Sequence, residues 1–193
     1  MNKKFIYIIL FSVIFSSQSK VGTTAAQFLG IGVGSKAMSM GGAFTSMVDD
    51  PSSAYWNPGS IAHMKKNKFQ LTHASWLIDT KWLYGSYVQR LDYRSTLAAN
   101  IFYLDYGDEE ITTIYEQNGT GEYWTAYDLS AGLYYGLNLT NKFSFGGGLK
   151  YISQAIHNES SSTIAFDMGL LYQNFSNNFR LGVSISNIGL DVN

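Results

Sequence analysis

From Lys68 onward the chain alternates large apolar residues with small or polar ones, and a period of two predicts strands with two unlike faces. The clearest run places Tyr127, Leu129, Ala131, Leu133, Tyr135, Leu137 and Leu139 on one face. Asp128, Ser130, Gly132, Tyr134, Gly136 and Asn138 fall on the other. A register slip of one residue would invert every side chain, so the pattern strongly constrains the sheet. Phe143 to Tyr151, Ile164 to Tyr172, Phe179 to Ile185 and Leu97 to Tyr103 repeat it, and Phe69 to Ile78 and Lys81 to Arg90 do so less cleanly. The expectation is about seven strands of roughly ten residues, the length that crosses a bilayer at the usual tilt.

The connections carry separate information. Leu91-Asp92, Thr140-Asn141 and Ser176 to Asn178 read as tight turns, whereas Asp105 to Tyr123 and His157 to Ser162 read as long polar loops. Alternating short and long connections suit an antiparallel up-and-down transmembrane β-barrel, whose strands visit the two membrane sides in turn; the short hairpin at Asp79-Thr80 departs from this parity. The polar face is mainly Gly, Ser, Ala and Asn, and Gly is a poor choice for a solvated strand but suits a crowded interior. Tyr127, Phe143, Tyr151, Tyr172 and Phe179 fall near strand ends, where aromatic girdles would lie. Charged residues make up 14% of the chain and aromatics 16%, a poor composition for a surface wholly in water. A soluble exported β-domain, which also alternates, is the competing class. The formal net charge of −1 gives no electrostatic reason to expect a nucleic-acid partner.

The N-terminus has Lys3 and Lys4, an apolar run from Phe5 to Phe15 and then small polar residues, the layout of a signal peptide over residues 1–19. Residues 20–66 form a distinct N-terminal segment, and 67–193 the strands. With no cysteine, an exported chain must be held by packing, by strand closure or by a membrane. The last strand is followed only by a short tail without a terminal aromatic residue, and a bilayer does not tolerate an open sheet edge. The expectation is therefore a C-terminally truncated barrel, with closure by association of two copies as the alternative.

The stretch Gly41 to Ala62, GGAFTSMVDDPSSAYWNPGSIA, holds the candidate site residues Gly41, Gly42, Asp49, Asp50, Pro51, Trp56, Asn57, Pro58 and Gly59. Asp49 and Asp50 could serve as an acid pair or a calcium site. Asp50 immediately before Pro51 reads instead as a helix cap followed by a first-turn proline. Calcium would need more oxygen ligands than two adjacent acids supply. Asn57-Pro58-Gly59 fits a turn, with Trp56 as a buried anchor beside it. The segment reads as a folded plug.

GIGVGS, Gly30 to Ser35, lacks the strand, helix and lysine of a phosphate loop. His63, His73 and His157 show no zinc spacing, no Gly-x-Ser-x-Gly elbow is present, and no catalytic residue, metal or cofactor is implied. Asp128, Lys150, Asp167 and Arg180 fall on the polar face, where they would either pair across strands or line a polar passage.

The stretch AQFLGIGVGSKAMSMGGAFTSMVDDPSSAYWNPGSIA resembles the N-terminal signature of the PorV/PorQ family of outer-membrane proteins, relatives of the FadL-type channels and close to the family labelled UPF0164. The matching positions are Met40 to Phe44, Asp49, Asp50, Ala54, Trp56, Asn57 and Pro58; Gly59-Ser60-Ile61 stands where the family often has Ala-Gly-Leu. The resemblance implies an all-β barrel of about fourteen strands, about half of them present here, with an N-terminal plug inside the lumen. It implies residence in the bacterial outer membrane and a non-enzymatic role in type IX-like protein secretion, binding or shuttling cargo alongside other secretion subunits. The alternative it implies is a FadL-like channel for hydrophobic small molecules. Both readings make outer-membrane lipid a partner.

Overall fold

The computed structural model describes residues 25–174, 176 and 178–189. The expected signal peptide lies outside them. Seven strands form one antiparallel sheet in sequence order: β1 Lys68–Ser75, β2 Lys81–Arg90, β3 Ser95–Glu110, β4 Tyr123–Asn138, β5 Phe143–Ile156, β6 Glu159–Asn174 and β7 Phe179–Gly189. Each strand pairs with its chain neighbour, so the sheet is an uninterrupted meander. It is not a closed barrel. Among the described residues no helix is long and apolar enough to cross a membrane.

Four of the strands are longer than expected, reaching 16 residues in β3, β4 and β6 and 14 in β5. The reason is that β3 to β6 continue past the apolar band with residues that break the alternation, such as Gly107 to Glu110 and Ser160 to Thr163, without ending the pairing. The long loop expected at His157 to Ser162 is absent: Ser160, Ser161 and Ser162 pair with Ala155, Gln154 and Ser153, and the turn is His157-Asn158 alone. The longest connection is Ile111 to Glu122, shortened because β3 runs on to Glu110 through a bulge between Asp105 and Asp108.

The two faces are inverted relative to a soluble sheet. Side chains of the small, polar face are covered, with Ser144 fully buried and Asp128, Ser130, Lys150 and Asp167 nearly so. The apolar face is open: Leu133 is 63% exposed, and Leu149, Ile164, Leu181, Val183 and Ile185 are similarly bare. Isolated exposed hydrophobics are ordinary, but a contiguous face of them marks a surface made for an apolar neighbour. Aromatic rings sit towards opposite ends of that face. Phe143, Tyr172 and Phe179 follow one another as tilted rings, their centroids 4.8 and 6.5 Å apart, and Tyr103 meets Tyr127 at 5.7 Å near the far ends of β3 and β4. Tyr127 to Leu139, the residue beside Phe143, spans about 40 Å of strand at roughly 3.3 Å per residue, or about 28 Å of thickness at a 45° tilt.

What covers the polar face is the N-terminal segment. It runs through a 3-10 turn Gln27–Gly30, helix α1 Ser35–Ser39, helix α2 Ser53–Trp56 and a 3-10 helix Pro58–His63 before entering β1. Phe28, Leu29 and Val33 pack with Trp82, Tyr84, Phe102 and Leu104, while Ile61 and Met64 pack with Val88, Ala98 and Tyr134. The core thus lies between segment and sheet.

Candidate functional site

The short elements of the segment are set by local chemistry. Gly41 and Gly42 both adopt left-handed backbone (φ 63° and 79°) and end α1, where the Gly42 N–H reaches the Ala37 carbonyl at 3.0 Å. Asp50 Oδ1 accepts from the Ser52 N–H at 2.9 Å and the Ser52 hydroxyl at 2.6 Å, so it caps the Pro51-Ser52 turn that leads into α2. Asp49 faces away from Asp50's work, with a carboxylate oxygen 3.0 Å from Lys68 Nζ, and the same ammonium donates to the Asp49 carbonyl at 2.7 Å. The two acids therefore have separate partners.

Asn57-Pro58-Gly59 is the start of the 3-10 helix rather than a free turn. Asn57 is its N-cap, accepting the Gly59 N–H on Oδ1 at 2.9 Å, and Pro58 occupies the first helical position, where its missing N–H costs nothing. The Asn57 amide nitrogen donates to Thr45 O at 2.7 Å and to Leu170 O at 3.0 Å. One fully buried side chain thus ties the loop, the 3-10 helix and β6 together. Trp56, expected as a buried anchor, is only half-buried; Nε1 donates to Val33 O at 3.1 Å, and the ring closes over Gly32 and Gly42.

Close approach is possible because the sheet carries glycine beneath the 3-10 helix. A Cβ on Gly169 would lie 1.9 Å from Asn57 Oδ1, and one on Gly146 would lie 2.2 Å from the Pro58 carbonyl carbon. Gly146 and Gly169 are directly paired across β5 and β6. They form a slot in which Pro58 and Gly59 rest, with the Ser144 hydroxyl donating to Gly59 O at 2.8 Å.

The four charges expected on the polar face part company. Lys150 Nζ lies 2.8 Å from Asp167 Oδ2, both deeply buried, and Asp167 also receives the Tyr134 hydroxyl at 3.2 Å and the Asn187 N–H at 2.7 Å. Lys150 is further bonded to Asn187 Oδ1 and stands 5.9 Å from the Tyr55 ring centroid. Asp128 has neutral donors instead, Tyr106 Oη at 2.7 Å and Gln154 Nε2 at 2.9 Å. Gln154 in turn accepts the Ala26 N–H at 3.0 Å. Arg180 forms no ion pair among the described residues and lies within electrostatic reach of His63, which burial and then Arg180 hold below its ordinary pKa.

Sequence reasoning missed Tyr55, Tyr106, Tyr134, Gln154 and Asn187, all partners of these charges. A tyrosine on an otherwise small, polar face was the available signal for Tyr134. Tyr55, pushed up in pKa by burial and then by Asp167, sits with its hydroxyl against the Leu29 and Ile31 carbonyls.

The two ends of the sheet differ in charge. Lys65, Lys66 and Lys68 lie at the start of β1, Arg90 and Arg94 flank the β2–β3 turn, Lys142 lies in the β4–β5 turn and Arg180 opens β7, against Asp49 and Asp92. The opposite end carries Asp79, the Asp105 to Glu122 acids and Glu159, against Lys81. A cavity of about 630 Å³ opens at the acidic end beside Tyr106, Trp124, Ala126, Asp128, Gln154 and Ile156, on the face that the segment covers elsewhere. Among the described residues no group of three or more His, Asp or Glu converges as a metal site.

These features describe a sheet with a bare apolar face and an opposite face largely covered by its own N-terminal segment. Comparison with known proteins assigns the family. Among curated proteins there is no significant match. The family profile described as Type IX secretion system protein PorV matches residues 15–193, spanning the segment and all seven strands, and the chain belongs to that family.

Proposed function

We propose that this chain is the wall and plug of an outer-membrane β-barrel that serves type IX secretion without catalysis, binding or shuttling cargo. Family membership supports secretion, and the pairing of a bare apolar face with a buried polar face supports the membrane setting. In a bilayer the open edges of β1 and β7 require partner strands, because no water is present to satisfy their N–H and carbonyl groups. The glycine slot, the Asn57 bridge and the Ser144 bond to Gly59 hold the plug as a fixed lid on the lumen rather than a loose tether. Deletion of the gene tests the role. Outer-surface cargo should then accumulate unanchored or inside the cell, and normal delivery of every cargo protein would overturn the reading.

A second reading, a FadL-like channel for hydrophobic small molecules, draws on the cavity beside Tyr106, Trp124 and Ile156, whose walls are mostly apolar. Purified protein should then bind a fatty acid or aromatic compound and carry it across a reconstituted membrane. Absence of both binding and uptake disposes of it.

A further inference from the structure

The cavity at the acidic end of the sheet has an apolar annex. A hollow of about 330 Å³, lined by Ile111, Trp124, Ile156 and His157, adjoins it across Trp124 and Ile156, which wall both spaces. Tyr106 is 41% exposed, Ile156 is 55% exposed and Trp124 is half-buried, so these side chains are open to a ligand. The floor beside them is charged.

That floor is Asp128, 5% exposed and fixed by two neutral donors. Tyr106 Oη donates to Oδ2 at 2.7 Å and Gln154 Nε2 to Oδ1 at 2.9 Å, while the Gln154 side-chain oxygen accepts the Ala26 N–H at 3.0 Å. Neutral donors orient a carboxylate without cancelling its charge. Asp167 on the same face is matched by Lys150, but Asp128 forms no ion pair among the described residues, and no lysine or arginine lines either hollow. Glu159, exposed on the rim of the cavity, adds a second carboxylate, and Asp108, Glu109 and Glu110 at this end of β3 strengthen the negative field. Asp128 therefore acts on the cavity through its field, and Glu159 by contact.

We propose that this cavity takes a small amphiphilic amine, its ammonium between Glu159 and the Tyr106 and Trp124 rings, above Asp128, and its apolar body against Ile156 and Ile111. The inference rests on the second reading above for the presence of a small-molecule site, and it makes the ligand cationic. An ammonium is attracted by carboxylates and by the faces of Trp and Tyr rings, whereas the head of a fatty acid meets like charge. A volume of about 630 Å³ suits a small organic molecule, and the apolar annex favours one that joins its charge to a hydrophobic body.

Isothermal titration calorimetry of the detergent-solubilised chain tests this with phenylbutylamine, phenylbutanol and phenylbutyrate, which share an apolar body and differ in the charge of the head. The amine should bind tightest and the carboxylate weakest. Asp128→Asn should weaken the amine about tenfold and tighten the carboxylate, because one change of field acts with opposite sign on opposite charges. Glu159→Gln, on the exposed rim, should act in the same two directions by about threefold. Phenylbutanol should respond to neither. Loss of all three ligands in Asp128→Asn would mark a damaged fold, and Glu159→Gln then decides: an unaltered ratio of amine to carboxylate affinity in that variant overturns the proposal. Equal binding of the three heads by the unsubstituted chain overturns it as well but leaves the second reading standing, whereas binding of none removes both. Binding of trilysine without phenylbutylamine would assign the acids to a peptide and overturn the amine.

Discussion

Lys150 on β5 and Asp167 on β6 form an ion pair at 2.8 Å, with side chains 3% and 1% exposed. Taking two charges out of water is costly, and their attraction offsets that cost only when the remaining hydrogen bonds are made, as Tyr134 and Asn187 make them here. Removing one partner leaves the other buried and alone. Asp167→Asn should therefore destabilise the fold by about 3–5 kcal/mol, whereas Lys150→Met with Asp167→Leu should cost much less. Denaturant unfolding in detergent, followed by tryptophan fluorescence, measures both. Equal losses in single and double variants would show that the charge pair is not what matters.

The glycine slot makes a sharper steric prediction. Gly169→Ala would force a methyl group to within 1.9 Å of Asn57 Oδ1, while Gly147→Ala meets its nearest atom at 3.6 Å. The first substitution should cost about 1–3 kcal/mol by overpacking, and the second should stay within about 0.5 kcal/mol. Trypsin cleavage at the exposed Lys65 and Lys66 is the readout, because loosening the 3-10 helix frees the adjoining chain. Equal cleavage in the two variants would refute the slot.

Asn57 tests the bridge from the other side. Asn57→Ala strands the Gly59 N–H and removes the donor from the Thr45 and Leu170 carbonyls. A loss of about 2–3 kcal/mol is expected from unsatisfied buried groups. Asn57→Asp should do no better, since a carboxylate would face two carbonyl oxygens. Full retention of stability in Asn57→Asp would contradict the donor role.

Much of this architecture is legible in the sequence, and the part that is not has a physical cause. Alternation from Leu129 to Leu137 assigned faces and neighbours because side-chain period and burial share one geometry. Gly146, Gly169 and Ser144 marked a crowded interior because bulk is excluded there. What lies on that interior depends on distant segments, so the partnership of Asn57 with Leu170 left no local trace. Asn57-Pro58-Gly59 reads as a turn because cap, first-position proline and turn draw on the same residues; packing against β5 and β6 decides for the 3-10 helix. The Ser160 to Ser162 run has loop composition, and only its pairing with β5 makes it strand.

The His63 environment predicts a pH dependence. Burial first, and Arg180 second, hold its folded pKa below the ordinary 6.5, so the unfolded chain takes up the proton more readily. This contribution to stability is complete above pH 6.5 and falls away as the pH drops below it. His63→Gln should flatten that part of the stability curve, measured by unfolding midpoints across the range. An unchanged slope in the variant would assign the effect to other groups.

The bare face supplies the most direct test of setting. Leu133 is 63% exposed on β4 between two aromatic levels, and Tyr115 is 90% exposed in the Ile111 to Glu122 loop. If lipid covers the first and water the second, Leu133→Lys should cost about 2–4 kcal/mol near the bilayer midplane, while Tyr115→Lys should be close to neutral. Folding yield in phospholipid vesicles, read from heat-dependent gel mobility, separates the two. In water the order would differ: a lysine on an exposed strand face would be harmless or would improve solubility. Leu133→Lys folding as well as Tyr115→Lys in vesicles would therefore argue that lipid does not touch this face, because the same substitution changes sign between the two solvents.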